Sequence, residues 1–163
     1  MISSIKSEIF RQNEIISYLE LAVDPESLLI HLNSFHRKID LDEFLSTCSR
    51  LGVKYLLCVS GDGSPRLPRL EPADLAMNCN TVTSVKLIKY IHAKYPGCFT
   101  IGAAFNHYEP LEDELDKLGR KRDAGAEFVI TQPVLRGIYL SLLSFKQQWE
   151  NFLPVLQEFS IKR

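Results

Sequence analysis

Apolar side chains along this chain follow two alternating patterns. Short, nearly unbroken apolar runs recur at residues 28–32, 54–59, 98–104 and 127–131. Their length and their Val, Ile, Leu and Phe content predict buried strands. Between them lie longer stretches with apolar residues at helical spacing. Residues 3–21 carry Ile5, Ile9, Phe10, Ile15, Ile16 and Leu19 at that period, with Ser3 or Ser4 as cap and Asp24-Pro25 as stop. Residues 40–51 predict a second helix, with Asp40 as N-cap, Glu43 completing a capping box and Gly52 as terminator. A third helix is expected over 81–95, with Val82, Val85, Ile88 and Ile91 on one side and Pro96-Gly97 ending it. A charged amphipathic helix follows over 109–124, and one or two helices over 135–145 and 147–159 close the chain.

The resulting order is a helix, then strand and helix four times over. That is an α/β pattern with a parallel sheet and right-handed crossovers. About four strands are too few to close an eight-stranded barrel, so the expectation is a compact open α/β domain or part of a barrel. The strands at 28–32 and 127–131 should form the edges, and unpaired edges favour association. The segment 61–80 holds Pro65, Pro68 and Pro72 and reads as a long loop, a kind that is usually functional or mobile.

Composition narrows the function classes. With 163 residues, 45% hydrophobic, 24% charged and a net charge of −1, the chain has globular values. Disorder and a strongly basic nucleic-acid surface are disfavoured. No apolar run approaches the ~20 residues of a membrane span. Lys6, Glu8 and Arg11 interrupt residues 1–16, so no signal peptide or anchor is expected there. Cys48, Cys58, Cys79 and Cys98 form no CxxC pair. Cys58 and Cys98 lie in or beside apolar runs and read as small buried hydrophobes, which suits a reduced, cytoplasmic protein. His36, His92 and His107 lack the spacing of metal ligands, so no metal site is expected.

Candidate chemistry concentrates at two strand ends. Val59-Ser60-Gly61-Asp62-Gly63 follows one predicted strand, and Thr131-Gln132-Pro133 follows another. Loops at the carboxyl ends of parallel strands carry ligand sites in barrels and open sheets alike. Gly61 permits a tight turn close to a ligand. Asp62 is a site carboxylate or a turn cap, and Gln132 a site amide or a partner of loop backbone. Gly61-Asp62-Gly63 is not a dinucleotide fingerprint, because the third glycine and the helix start are missing. Phe105-Asn106-His107-Tyr108 reads equally as a stacking surface or as core. His31 in its apolar strand reads as a core histidine or a ligand contact, and Arg120 and Lys121 as a solvated helix face or an anion contact.

Four segments together resemble the methylenetetrahydrofolate reductase family. L-L-C-V-S-G-D at 56–62 is similar to its "L-x-G-D" strand end, and I-G-A-A-F-N at 101–106 to its following strand. L-G-R-K-R-D-A-G-A-E-F-V-I-T-Q at 118–132 resembles its "L-x-R-K-x-D-A-G-A-x-F-x-I-T-Q" signature, and I-H-L-N at 30–33 its "HLTC" strand. The segments occur in the family's order and span residues 28–133.

The resemblance implies a TIM barrel that binds FAD, takes hydride from NAD(P)H and passes it to a folate-like substrate in one-carbon metabolism. It assigns Asp62 a catalytic role. It places His31, Gly61, Asp62, Phe105, Arg120 and Lys121 at the flavin, and Asp62 and Gln132 at the folate. It also implies a single domain over 1–163 that lacks the first two and last two barrel strands, the first of which bears the family's proton-donor glutamate. A homo-oligomer or a second chain would then complete the barrel, and a non-catalytic flavin- or folate-binding module is the alternative. Relative to the family, Ser60 replaces an Arg or Thr, Phe105 a tyrosine, and Glu109 stands near a flavin-site histidine.

Overall fold

The computed structural model describes residues 24–61, 67–78 and 80–132. Within them run β1 (Leu29–Leu32), α1 (Lys38–Leu51), β2 (Tyr55–Cys58), α2 (Ser84–Lys94), β3 (Thr100–Phe105), α3 (Leu111–Asp123) and β4 (Phe128–Thr131). The strands form one sheet in the order β1-β2-β3-β4, and every pair is parallel. This is the parallel α/β repeat that the alternating pattern predicts, with β1 and β4 at the edges among the described residues. The helices expected over 3–21, 135–145 and 147–159 lie outside the described residues, as do Asp62 and Gly63.

Strand alternation divides the sheet into two faces. Leu32, Leu56, Cys58, Ile101, Ala103, Phe105 and Val129 point to the helix side. There they form one core with Leu41, Phe44, Leu45 and Cys48 of α1, Leu87, Ile88 and Ile91 of α2, and Leu118 of α3. The other face carries Leu29, His31, Tyr55, Leu57, Gly102, Ala104, Phe128 and Ile130. The register aligns His31 with Leu57, Leu57 with Gly102, and Gly102 with Phe128. In a closed barrel this face is the interior.

Three local expectations differ from the structure. Helix α1 starts at Lys38 with Arg37 as N-cap, two residues before Asp40. Asp40 instead accepts two hydrogen bonds from the Arg37 guanidinium, at 2.6 and 2.7 Å. A carboxylate inside the first turn still complements the helix dipole. The long loop after β2 contains a 3-10 turn, Pro72–Leu75, closed by reciprocal Glu71 and Asp74 hydrogen bonds. Its flanks bury Leu70 and Leu75. Cys98 is exposed, whereas Cys48 and Cys58 are buried. The reason is register: β3 begins at Thr100, which leaves Cys98 in the turn after Pro96.

Polar contacts tie the helices together. Asp42 of α1 receives Lys38 at 2.8 Å, Lys94 at 2.6 Å and the Tyr90 hydroxyl, while the Tyr95 hydroxyl donates to its backbone carbonyl at 3.2 Å. His92 Nε2 meets the Gly125 carbonyl at 2.6 Å and links α2 to the turn before β4. No helix of the described residues is long and apolar enough to cross a membrane.

Candidate functional site at the carboxyl edge of the sheet

Because all four strands are parallel, the segments after Leu32, Cys58, Phe105 and Thr131 emerge on one edge. Backbone bonds hold them side by side there. Val59 N–H donates to Leu32 O at 2.9 Å, and Gln132 N–H donates to Phe105 O at 3.3 Å. Ser34 Oγ donates to Ser60 O at 3.3 Å, and Leu70 N–H donates to Ser34 O at 2.9 Å, which brings the long loop to the same edge.

Gly61 has φ +78°, a conformation that favours glycine. A Cβ there would meet Asn33 Cβ at 2.9 Å and the Phe35 ring at 3.1 Å. The turn after β2 therefore sits directly on the segment after β1, and Asn33 Oδ1 steadies that segment by accepting the Phe35 N–H at 2.9 Å.

His31 and Gln132 fall on the same sheet face, and both are exposed. Three inter-strand spacings separate them, roughly 14 Å across the sheet at ~4.8 Å each, so they do not touch one another. Phe105 faces the other way. It is 1% exposed within the helix-side core, so its ring is a packing element and not an open stacking surface.

Arg120 and Lys121 take different paths from adjacent positions on α3. Arg120 pairs with Asp116 at 3.1 Å on the solvent side. Lys121 turns inward, and its Nζ donates to Ala104 O at 2.7 Å, one residue before the end of β3. Burial pulls the Lys121 pKa below the ordinary lysine value, against the opposing charge of Glu114.

Glu114 escaped the sequence reading, and His107 entered it only within the Phe105-Asn106-His107-Tyr108 cluster. Glu114, on the first turns of α3, is only 6% exposed. Its Oε2 accepts the Asn106 N–H at 3.2 Å and its Oε1 accepts Lys117 Nζ at 2.8 Å. Burial pushes its pKa up. The bonds from Lys117 and Asn106 and the charges of Lys117 and Lys121 outweigh that and hold it below the ordinary glutamate value. The available signal was spacing: 114, 118 and 121 fall on one helical stripe with buried Leu118 between opposite charges. His107 stacks on Tyr108 with ring centroids 4.1 Å apart. Both its ring nitrogens are buried and lack a partner among the described residues, and burial lowers its pKa. Buried polar atoms are normally paired, which sets this imidazole apart from its surroundings.

The comparisons agree with this architecture. Two crystal forms of 2,3-dimethylmalate lyase, a PEP mutase/isocitrate lyase superfamily member, share the fold. The trigonal form matches with a TM-score of 0.58 and 15% identity over 88% of this chain. The triclinic form gives 0.54 and 14% over 93%. At such identity the likeness concerns fold alone, and the class it defines is a TIM-barrel-like parallel α/β protein. This chain covers 48% and 53% of those two chains, about half their length. No curated protein matches. Residues 12–145 match the methylenetetrahydrofolate reductase family, which is most of the chain, and the protein belongs to that family.

Proposed function

We propose that this chain is a flavin-dependent oxidoreductase of the methylenetetrahydrofolate reductase type, acting on a folate-like substrate, with NAD(P)H as reductant. The observation that carries the reading is the placement of the family signature. Its helix α3 delivers Lys121 to the carboxyl end of β3, and its strand β4 leads into the exposed Gln132 on the same edge. We read residues 1–163 as one (β/α) domain.

The residues at this edge fit FAD. An ammonium group has three donors, and the bond to Ala104 uses one of Lys121's, leaving others for an anionic group. His107 offers two ring nitrogens without protein partners among the described residues. Gly61 packs the turn after β2 onto Asn33 and Phe35 at this edge, and Asp62 follows it in sequence. FAD, when bound, supplies the relay that accepts hydride from the nicotinamide and passes it to the folate. The chain's own part is to bind and orient. Gln132 presents a donor and an acceptor suited to a pterin edge. Asp62 carries the carboxylate that the family places between flavin and folate. His31 adds an exposed polar side chain to the barrel-interior face.

The test is FAD titration of the purified chain by flavin absorbance and fluorescence, followed by NADH and NADPH oxidation with methylenetetrahydrofolate. The expectation is saturable FAD binding that Lys121→Met weakens by about tenfold, the loss of one charge-assisted contact. Turnover that Asp62→Asn abolishes supports the full reaction. FAD binding without turnover assigns a binding module of the family, and absence of FAD binding overturns the proposal.

A further inference from the structure

Arg69 comes to the carboxyl edge from the long loop after β2, and three contacts fix it there. Its neighbour Leu70 is 1% exposed and donates its N–H to Ser34 O at 2.9 Å, which binds the backbone at this point to the segment after β1. The Arg69 guanidinium lies over the Phe35 ring, 5.5 Å from its centroid, a cation–π arrangement that orders an exposed side chain. The edge of the same ring packs against Gly61, where a Cβ would come within 3.1 Å of it. One aromatic ring therefore stands between the guanidinium and the turn that leads into Asp62. The other cations on this side are already committed: Arg37 to Asp40 through two hydrogen bonds, and Lys38 to Asp42 at 2.8 Å. The acidic residues that follow Arg69 in sequence, Glu71 and Asp74, are turned to one another's backbone N–H groups. Arg69 is exposed and has no carboxylate partner among the described residues.

We propose that Arg69, stacked on Phe35, receives a carboxylate of the glutamate tail of the folate-like substrate, and so sets the preference for the tail-bearing substrate over a bare pterin. This rests on the folate reading above. A guanidinium offers a carboxylate two parallel hydrogen bonds in a fixed plane, and stacking on a ring holds that plane in place. The spacing suits the ligand. Gln132, assigned to the pterin edge, follows β4, and Arg69 stands over the segment after β1. Three inter-strand spacings part the two strand ends, roughly 14 Å at ~4.8 Å each, a span on the scale of an extended folate from ring to tail. Lys121, at the end of β3, stands between these two stations and serves a different anion, the diphosphate of FAD.

The experiment uses the full chain. Wild type, Arg69→Met and Arg69→Lys are titrated by calorimetry with three probes: 5-methyltetrahydrofolate, 6-methyltetrahydropterin, which has the reduced ring and no carboxylate, and FAD. Arg69 is exposed, so its variants should keep the wild-type melting temperature, which a thermal scan checks. Arg69→Met should raise the dissociation constant of 5-methyltetrahydrofolate about tenfold, the loss of one charge-assisted contact, and leave the pterin and FAD constants unchanged. Arg69→Lys, which keeps the charge and loses the planar fork, should fall between. Unchanged affinity for 5-methyltetrahydrofolate in Arg69→Met overturns the inference and leaves the folate reading standing. So does an equal loss for the folate and the bare pterin, which would place Arg69 at the ring. A loss confined to FAD overturns it in favour of a diphosphate contact. A wild-type chain that binds FAD and no 5-methyltetrahydrofolate overturns the folate reading itself, and with it the ligand assigned to Arg69.

Discussion

Gly125→Ala should be among the most damaging single-methyl changes in this protein, and the structure gives its size. Gly125 has φ +109°, a region that side chains rarely enter. Forcing alanine there costs ~1–3 kcal/mol in backbone strain. The new Cβ would lie 2.3 Å from His92 Cδ2 and 2.4 Å from His92 Nε2, so the imidazole must move. Moving it forfeits the 2.6 Å contact with the Gly125 carbonyl, worth ~0.5–1.5 kcal/mol. Restricting the unfolded chain returns ~0.4–1 kcal/mol. The net loss is about 0.5–4 kcal/mol, centred on about 2, a sizeable share of the ~5–15 kcal/mol that holds an ordinary domain. Urea denaturation followed by far-UV circular dichroism measures it. The change is then repeated in a His92→Ala background, where the collision and the contact are both gone and only the backbone cost remains. A Gly125→Ala midpoint within ~0.5 kcal/mol of wild type would refute the backbone argument, that being the range of ordinary surface changes. An equal cost in both backgrounds would refute the role given to His92.

Three further outcomes are expected. Cys98 should react quickly with a thiol reagent in the native chain, while Cys48 and Cys58 stay protected until unfolding, because burial removes access and pushes their thiols up to about 12; fast labelling of Cys58 in peptide mapping would contradict this. Burial pushes the Asp42 carboxyl up, but bonds from Lys38, Lys94 and Tyr90 bring it below its ordinary value of 3.8. A depressed carboxylate stabilises the fold above its unfolded pKa and loses that stabilisation as pH falls through the folded value. Asp42→Asn should therefore lower stability by about 1–2 kcal/mol at neutral pH, with the gap to wild type closing as pH falls below 3.8; a gap unchanged between neutral and acid pH in urea titrations would count against the ion network. Gly61→Ala, with φ +78° and a Cβ only 2.9 Å from Asn33, should displace the turn after β2 and weaken FAD binding more than it lowers the melting temperature; the reverse order, in paired titration and calorimetry, would show that the turn serves stability alone.

Much of this fold was legible in the chain because its determinants are local. Short apolar runs separated by amphipathic stretches specify parallel strands with crossover helices, and Gly52 stops α1 where the sequence marks it. The signature at 118–132 identified the family from residue types and order alone. What the signature does, residue by residue, only the tertiary structure decided. Alternation and helical phase set which way each side chain points, and phase depends on where an element starts. Phe105 went to the core and Arg120 to solvent, while Lys121, one position on, reached the end of β3. Gly125, inside the same signature, serves the turn before β4, on the opposite side of the sheet from the carboxyl edge. Cys98 left the core because β3 starts two residues later than its apolar run. Glu114 was invisible, and the buried ring nitrogens of His107, without a partner among the described residues, were not foreseen, because both are properties of packing: a sequence shows that a residue can ionise, and only the fold shows what surrounds it.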